Sequence, residues 1–224
     1  MQKFATPAPV RAVLDIPAGR IRVVAAERDT TTVEVLPADA SKSRDVKTAE
    51  QIQVACADGV LRIEAPQAKN RILGNTGSVE VTVQLPAGSR VEARAAAAEL
   101  RGVGRLGDVV FDGAHGSVKL DEAASVRLTG LDATITVGRL NGPGEISTQR
   151  GDVTVTEAVS GTLTLSAQQG DITVGAARGV AATLDAGTAY GRIHNTLTNT
   201  GSPAGTALAV KATTAQGDIT ARSL

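Results

Sequence analysis

Residues 10–100 alternate apolar and polar side chains with period two. Val10-Arg11-Ala12-Val13-Leu14-Asp15-Ile16 runs into Pro17-Ala18-Gly19 and continues as Arg20-Ile21-Arg22-Val23-Val24. In extended backbone successive side chains fall on opposite faces, so each such run predicts a strand with one buried face. The same phrase returns as Val79-Glu80-Val81-Thr82-Val83, Leu85-Pro86-Ala87-Gly88 and Arg90-Val91-Glu92-Ala93-Arg94-Ala95. Proline fixes one turn torsion and glycine relaxes the exit, so each Pro-Ala-Gly step predicts a tight reversal or a corner. Between the two copies, residues 32–36, 51–55 and 61–65 alternate cleanly, and Asp58-Gly59 joins the last two as a hairpin signal. One-sided alternation of this kind predicts antiparallel pairing with one wet face. Asp39 to Glu50 is polar and lacks alternation, which predicts a surface loop with one helical turn. Ala95 to Leu100 has helical propensity, but its flanks, Val91-Glu92-Ala93 and Gly102-Val103-Gly104, favour a strand of small residues.

Beyond about residue 102 the pattern becomes a repeat. Gly-Asp-(Val/Ile)-Thr occurs at 151–154, 170–173 and 217–220, with the variant Gly191-Arg192-Ile193-His194 and a degenerate copy, Ala133-Thr134-Ile135-Thr136-Val137. The first positions are 18, 19, 21 and 26 residues apart. Shorter strand-like runs lie between them at 125–128, 144–147, 161–165, 182–185 and 208–211. Repeats of this length made of strand and turn residues predict a parallel β-solenoid, each coil stacking on the last about 4.8 Å away. An antiparallel sandwich fits the strand spacing as well, but recurrence of the same residue types at the same place in each period favours stacking in register. The predicted interior is Ile135, Val137, Val153, Val155, Leu163, Leu165, Ile172, Val174, Leu184, Ile193 and Ile219; Thr154, Thr173, His194 and Thr220 point outward. The longer intervals place an expanded turn at 196–206, on one face. We expect an N-terminal β-rich module over 1–100 and solenoid repeats over 101–224, built as one continuous unit.

The motif glycines and acids invite a metal-site reading. Gly151, Asp152, Gly170, Asp171, Gly191, Arg192, Gly217 and Asp218 are instead expected to be structural turn positions. Glycine takes the positive φ, and the acid hydrogen-bonds nearby amides. In chain order Arg192 would stack between Asp171 and Asp218 and relieve their repulsion. Calcium would require several oxygens converging on one loop, a pattern the motif lacks.

Composition narrows the function. Apolar residues make up 42%, yet the aromatics are only Phe4, Phe111 and Tyr190, so the core must be built from small aliphatic side chains. The formal net charge is zero, with 23 basic and 23 acidic residues interspersed. Without a basic stripe or stacking aromatics, nucleic acid is not an expected partner. No run reaches membrane-spanning length and the first residues hold no apolar signal core, which predicts a cytoplasmic protein without membrane association. Cys56 is the lone cysteine and lies in phase with an apolar face, as a small buried hydrophobe would.

No catalytic set is legible. The serines lack a nucleophile elbow, His115 and His194 lie far apart in the chain, and a single cysteine excludes zinc spacing. Gly102-Val103-Gly104-Arg105-Leu106-Gly107 matches a dinucleotide fingerprint in letters, but strand-like Asp108-Val109-Val110-Phe111 follows where a helix is required. A polysaccharide-processing β-helix would line its groove with aromatic platforms, and Tyr190 is the sole candidate for one. No cofactor is expected.

The Pro-Ala-Gly strands, Leu85-Pro86-Ala87-Gly88 and the trailing Gly-Asp-Ile-Thr repeats resemble the bacterial β-strand-repeat family called "putative adhesin". That family is a domain of unknown function, common in actinobacteria and related to auto-transporter adhesin head domains. The resemblance spans residues 10–224 and implies a β-solenoid without catalytic residues or cofactors. The expected function is therefore a non-enzymatic scaffold that binds a protein partner. A self-assembling element joined through uncapped solenoid ends, as in bactofilins, is the alternative, with homo-oligomers as its product; a polysaccharide-binding or -processing β-helix comes third.

Overall fold

The computed structural model describes residues 1–65, 77–198 and 207–224. The chain is nearly all β, with one described helix. In order the elements are β1 (Gln2–Ala5), β2 (Arg11–Ala26), β3 (Thr30–Pro37), α1 (Ser43–Gln51), β4 (Gln53–Ala57), β5 (Val60–Glu64), β6 (Val79–Pro86) and β7 (Arg90–Leu140). Then come β8 (Gly144–Arg150), β9 (Val153–Ala158), β10 (Gly161–Gln169), β11 (Ile172–Ala176), β12 (Ala181–Tyr190), β13 (Ile193–Thr196), β14 (Ala207–Gln216) and β15 (Ile219–Ser223). They form one open, mostly parallel sheet system.

Two parallel ladders organise the second half. In the first, Val126–Asp132 of β7 is followed by β8, β10, β14 and β12, with Leu163 in register with Gly144 and Val210, and Val210 with Leu184. In the second, Ile135–Leu140 of β7 is followed by β9, β11, β15 and β13, with Ile135, Val153, Ile172, Ile219 and Ile193 in one row. β7 feeds both. A straight strand of its length would extend roughly 170 Å, so it must fold back on itself. It does so at glycines: the Gly107 amide donates to Ser89 O at 2.8 Å, and Gly116 (φ 137°) lies against the Ala98 carbonyl.

The N-terminal region is mixed rather than antiparallel. Arg11–Asp15 of β2 lies between β5 and β7, and Gly19–Ala26 lies between β6 and β7, all in parallel. Pro17-Ala18-Gly19 is accordingly a corner and not a reversal, with Gly19 at φ 130° beside the Val79 backbone. Antiparallel pairing is confined to β1–β3, β3–β6 and β4–β5. The last of these is the expected hairpin, with Asp58 at φ 51° and Gly59 at φ 74°. Ala95 to Leu100 is strand, within β7.

The expected loop at 39–50 contains α1. Period-two inspection missed it because its less exposed residues, Asp45, Val46, Thr48, Ala49 and Ile52, follow helical spacing. It packs on β3 and β6, and Asp45 Oδ1 accepts the Ser78 amide at 2.9 Å.

One core runs from Val10 to Ile219. Of the expected interior, Ile135, Val137, Val153, Val155, Leu163, Leu165, Ile172, Val174 and Ile219 are buried. Leu184 is half-buried and Ile193 is exposed (46%). The reason is stacking order. β14–β15 lies between β10–β11 and β12–β13, so ladder order departs from chain order. Hydrophobic burial accounts for the exchange. Leu208, Val210, Ala212, Ile219 and Ala221 give β14–β15 a wholly apolar inner face, which takes the inner position. β12–β13 offers Leu184, Ala186, Thr188 and Ile193 and takes the edge. The connection between them falls in the longest interval of the repeat; its residues 199–206, and with them most of the turn expected at 196–206, lie outside the described residues. No described helix is long and apolar enough to cross a membrane.

Candidate interaction surfaces

The motif residues come together at one corner between the two ladders. Asp152 Oδ1 accepts the Asp171 amide at 2.9 Å, Asp171 Oδ1 accepts the Asp218 amide at 2.8 Å, and Asp218 Oδ1 accepts the Arg192 amide at 2.8 Å. Each carboxylate thus reaches one rung along the stack. Arg192 does not separate Asp171 from Asp218; it closes the row, its guanidinium donating to Asp218 Oδ2 at 2.8 and 3.2 Å. This corrects the expected order, and the cause is the inner placement of β15. Three carboxylates therefore stand consecutively, each facing the positive end of an amide dipole.

The Arg192 amide, and after it the guanidinium, holds the Asp218 carboxyl below the usual range, while the Arg192 pKa is raised by hydrogen bonding to Asp218. Gly151, Gly170 and Gly217 have φ of 121°, 144° and 147°. A Cβ at Gly170 would collide with the Gly151 carbonyl, and one at Gly191 with that of Gly217. Thr154, Thr173 and Thr220 stand in register, with His194 next to Thr220 on the edge rung. Among the described residues no group of three or more His, Cys, Asp or Glu could hold a metal ion.

A second arrangement escaped the sequence reading. The polar phase of β5, β2 and successive passes of β7 builds a shallow cleft of about 440 Å³ on the outside of the first ladder. Its wall carries Arg62, Glu64, Asp15, Glu92, Arg94, Asp112 and Arg127 over a floor that includes Val13, Ala93 and Val110. It continues past Val110 and Arg127 into a second depression of about 400 Å³ flanked by Arg90, Asp108, Ser125 and Glu145.

Glu92 is the anchor of this face. Arg11 donates to it at 2.7 and 2.9 Å and Arg90 at 2.7 Å. The Arg11 hydrogen bond, with Arg90, keeps its carboxyl below the usual range despite partial burial. Arg90 also lies 3.5 Å from Asp108, and Arg127 donates to Glu145 at 3.1 Å. By contrast, the side chains of Asp15, Arg94 and Asp112 make no hydrogen bond or ion pair with any described residue. Fixed charges thus frame unsatisfied ones. The signal was present in the sequence, since the charged phase recurs near 11–15, 90–94 and 108–112, but the motif search favoured glycine positions.

The remaining candidates are dispersed. His115 Nδ1 lies 3.9 Å from Asp132 on an exposed surface, and Asp132 is also held by Arg150 at 3.2 Å. Cys56 is half-buried against the core, which raises its thiol pKa and suppresses thiolate reactivity. Gly102 to Gly107 lies inside β7, without the helix that a dinucleotide site needs.

No family model and no curated protein matches the chain. Three solved structures are similar to it over its whole length. One is described as a "putative cell adhesion protein" of Clostridium sporogenes, with 13% identity, 98% of that chain covered and a TM-score of 0.43. The others are each described as a "putative adhesin". That of Bacteroides fragilis has 14% identity, 95% coverage and a TM-score of 0.42; that of Parabacteroides distasonis has 15%, 95% and 0.34.

Proposed function

We propose that the two ladders are faces of a β-solenoid that serves as a non-enzymatic scaffold, and that a protein partner lies along its charged outer face. The carrying observation is the cleft in which Asp15, Arg94 and Asp112 stand without partners beside the anchored Glu92. Charges left in water on a rigid sheet add little to stability, but they are pre-positioned for an extended segment of opposite pattern. Electrostatic complementarity of this sort gives specificity and association rate. The glycine–aspartate corners then serve architecture, because each aspartate oxygen is already engaged with the amide of the next rung. The module over 1–100 and the repeats over 101–224 act as one unit in this reading, supported by β7 crossing that boundary within a shared core.

The test is quantitative affinity capture from the native host with two baits, the natural chain and Arg94→Glu/Asp112→Lys. Both substituted residues are exposed and unpaired, so the variant keeps its circular dichroism and melting temperature. A partner retained by the natural chain is expected to fall at least about tenfold with the variant, the scale of a lost interfacial charge pair. Equal recovery on both baits removes the cleft from the reading.

A further inference from the structure

The two ends of the ladders differ. At the N-terminal end the edge strands are β1, four residues long, and β4, five residues long, and α1 packs on β3 and β6. Short edges are a common defence against unwanted pairing. At the other end β12 presents a ten-residue edge, paired with β14 on one side and with no described strand on the other. It contains no proline, lysine or arginine, and Asp185 is its one charge. Beside it the core is incompletely closed: Leu184 and Ala186 are half-buried, whereas Val210 and Ala212, in register with them on β14, are buried. Tyr190 (76% exposed) and Ile193 stand at the adjoining corner.

We infer that this edge is an interface with a second copy of the same chain, formed by antiparallel pairing of β12 with β12 of the partner about a two-fold axis at Ala186. Going beyond the partner cleft, this is a separate surface on another part of the molecule. The strand's own sequence selects the register. Centred on Ala186, Asp185 faces Gly187 of the other copy, so the strand's one charge never meets itself. Thr183 faces Ala189, and Leu184 faces Thr188. Side chains of even number point toward the open end of the core in both copies, so pairing brings Leu184 and Ala186 of each under cover and joins the two cores. Odd-numbered residues, Thr183, Asp185, Gly187 and Ala189, are exposed on the outer face. An isologous contact of this kind closes at two copies and does not propagate into a filament.

The register can be tested by charge. In the single chain Thr183 and Ala189 are both exposed, so lysines there leave the fold intact; in the pair they face each other across the axis, twice. Size exclusion with light scattering at about 100 µM, where a small interface of this type is populated, should give twice 22.7 kDa for the natural chain. It should give the single mass for Thr183→Lys/Ala189→Lys, and the double mass again for Thr183→Lys/Ala189→Glu. Circular dichroism of all three checks that folding is unchanged. Phe4→Lys on β1 should remain paired. A natural chain that stays at the single mass overturns the inference. So does pairing that survives the double lysine variant, or that is lost with the β1 substitution instead.

Discussion

The β10–β11 and β12–β13 units carry nearly the same sequence phrase and have different fates. Ile172 and Ile193 occupy equivalent rows of the second ladder, yet Ile172 is fully buried and Ile193 is 46% exposed. Gly170-Asp171-Ile172-Thr173 is covered by neighbours on both sides, whereas Gly191-Arg192-Ile193-His194 has β15 on one side and no described strand on the other. The difference teaches that the motif encodes the shape of a corner, while position in the stack decides what the corner is worth. Substitution of aspartate by arginine and of threonine by histidine coincides with the edge, where long charged side chains can remain in water.

The sharpest way to break this comparison is to truncate the two isoleucines. Ile172→Ala removes buried methyl groups from a row flanked by Val153 and Ile219 and should cost about 2–5 kcal/mol. Ile193→Ala should stay within about 0.5 kcal/mol, as surface changes do. Urea unfolding of both variants measures the gap. Comparable losses would mean that the β12–β13 end is covered and the comparison is wrong.

Backbone substitutions should follow the same order with a smaller difference. Gly170 has φ 144°, and an added Cβ would meet the Gly151 carbonyl with β15 stacked on the other side. Gly170→Ala should cost about 1–3 kcal/mol, the usual range for forcing a side chain into such a conformation. Gly191 also faces a close carbonyl, that of Gly217, but its rung lies at the edge and can shift outward. Gly191→Ala should therefore be the milder of the two in thermal melts. The reverse order would show that the corner itself, and not its place in the stack, sets the strain.

Much of this was legible in the sequence and some of it was not. Period-two alternation marked the strands, and register repetition of the glycine–aspartate phrase marked nine interior positions correctly. Stacking order was hidden because each phrase is compatible with any neighbour carrying the same phrase. The choice rests on which segment has the more apolar inner face, and that comparison, Val210 and Ala212 against Leu184 and Thr188, requires both strands to be placed. α1 was hidden for a different reason: nine polar-rich residues between strands carry too few apolar positions for a helical period to stand out. The charged cleft was hidden because its residues are near neighbours only after β7 folds back on itself.

The finest test lies at the boundary between the two environments, where Asp218 meets Arg192. The Arg192 amide and guanidinium favour the charged carboxylate, so the Asp218 pKa in the folded chain lies below its unfolded value. A group shifted downward binds fewer protons when folded, so its contribution is fully present above the ordinary aspartate range. That contribution is lost as pH falls through the depressed folded value. Asp218→Asn keeps an oxygen for the Arg192 amide but removes the charge. The natural chain should therefore melt slightly above the variant at pH 7, and the two curves should converge as the solution is acidified below the aspartate range. A gap that persists unchanged in acid would assign the effect to hydrogen-bond geometry alone. The closing arginine would then be incidental to the corner, and the distinction between an inner aspartate and an edge aspartate would lose its electrostatic half.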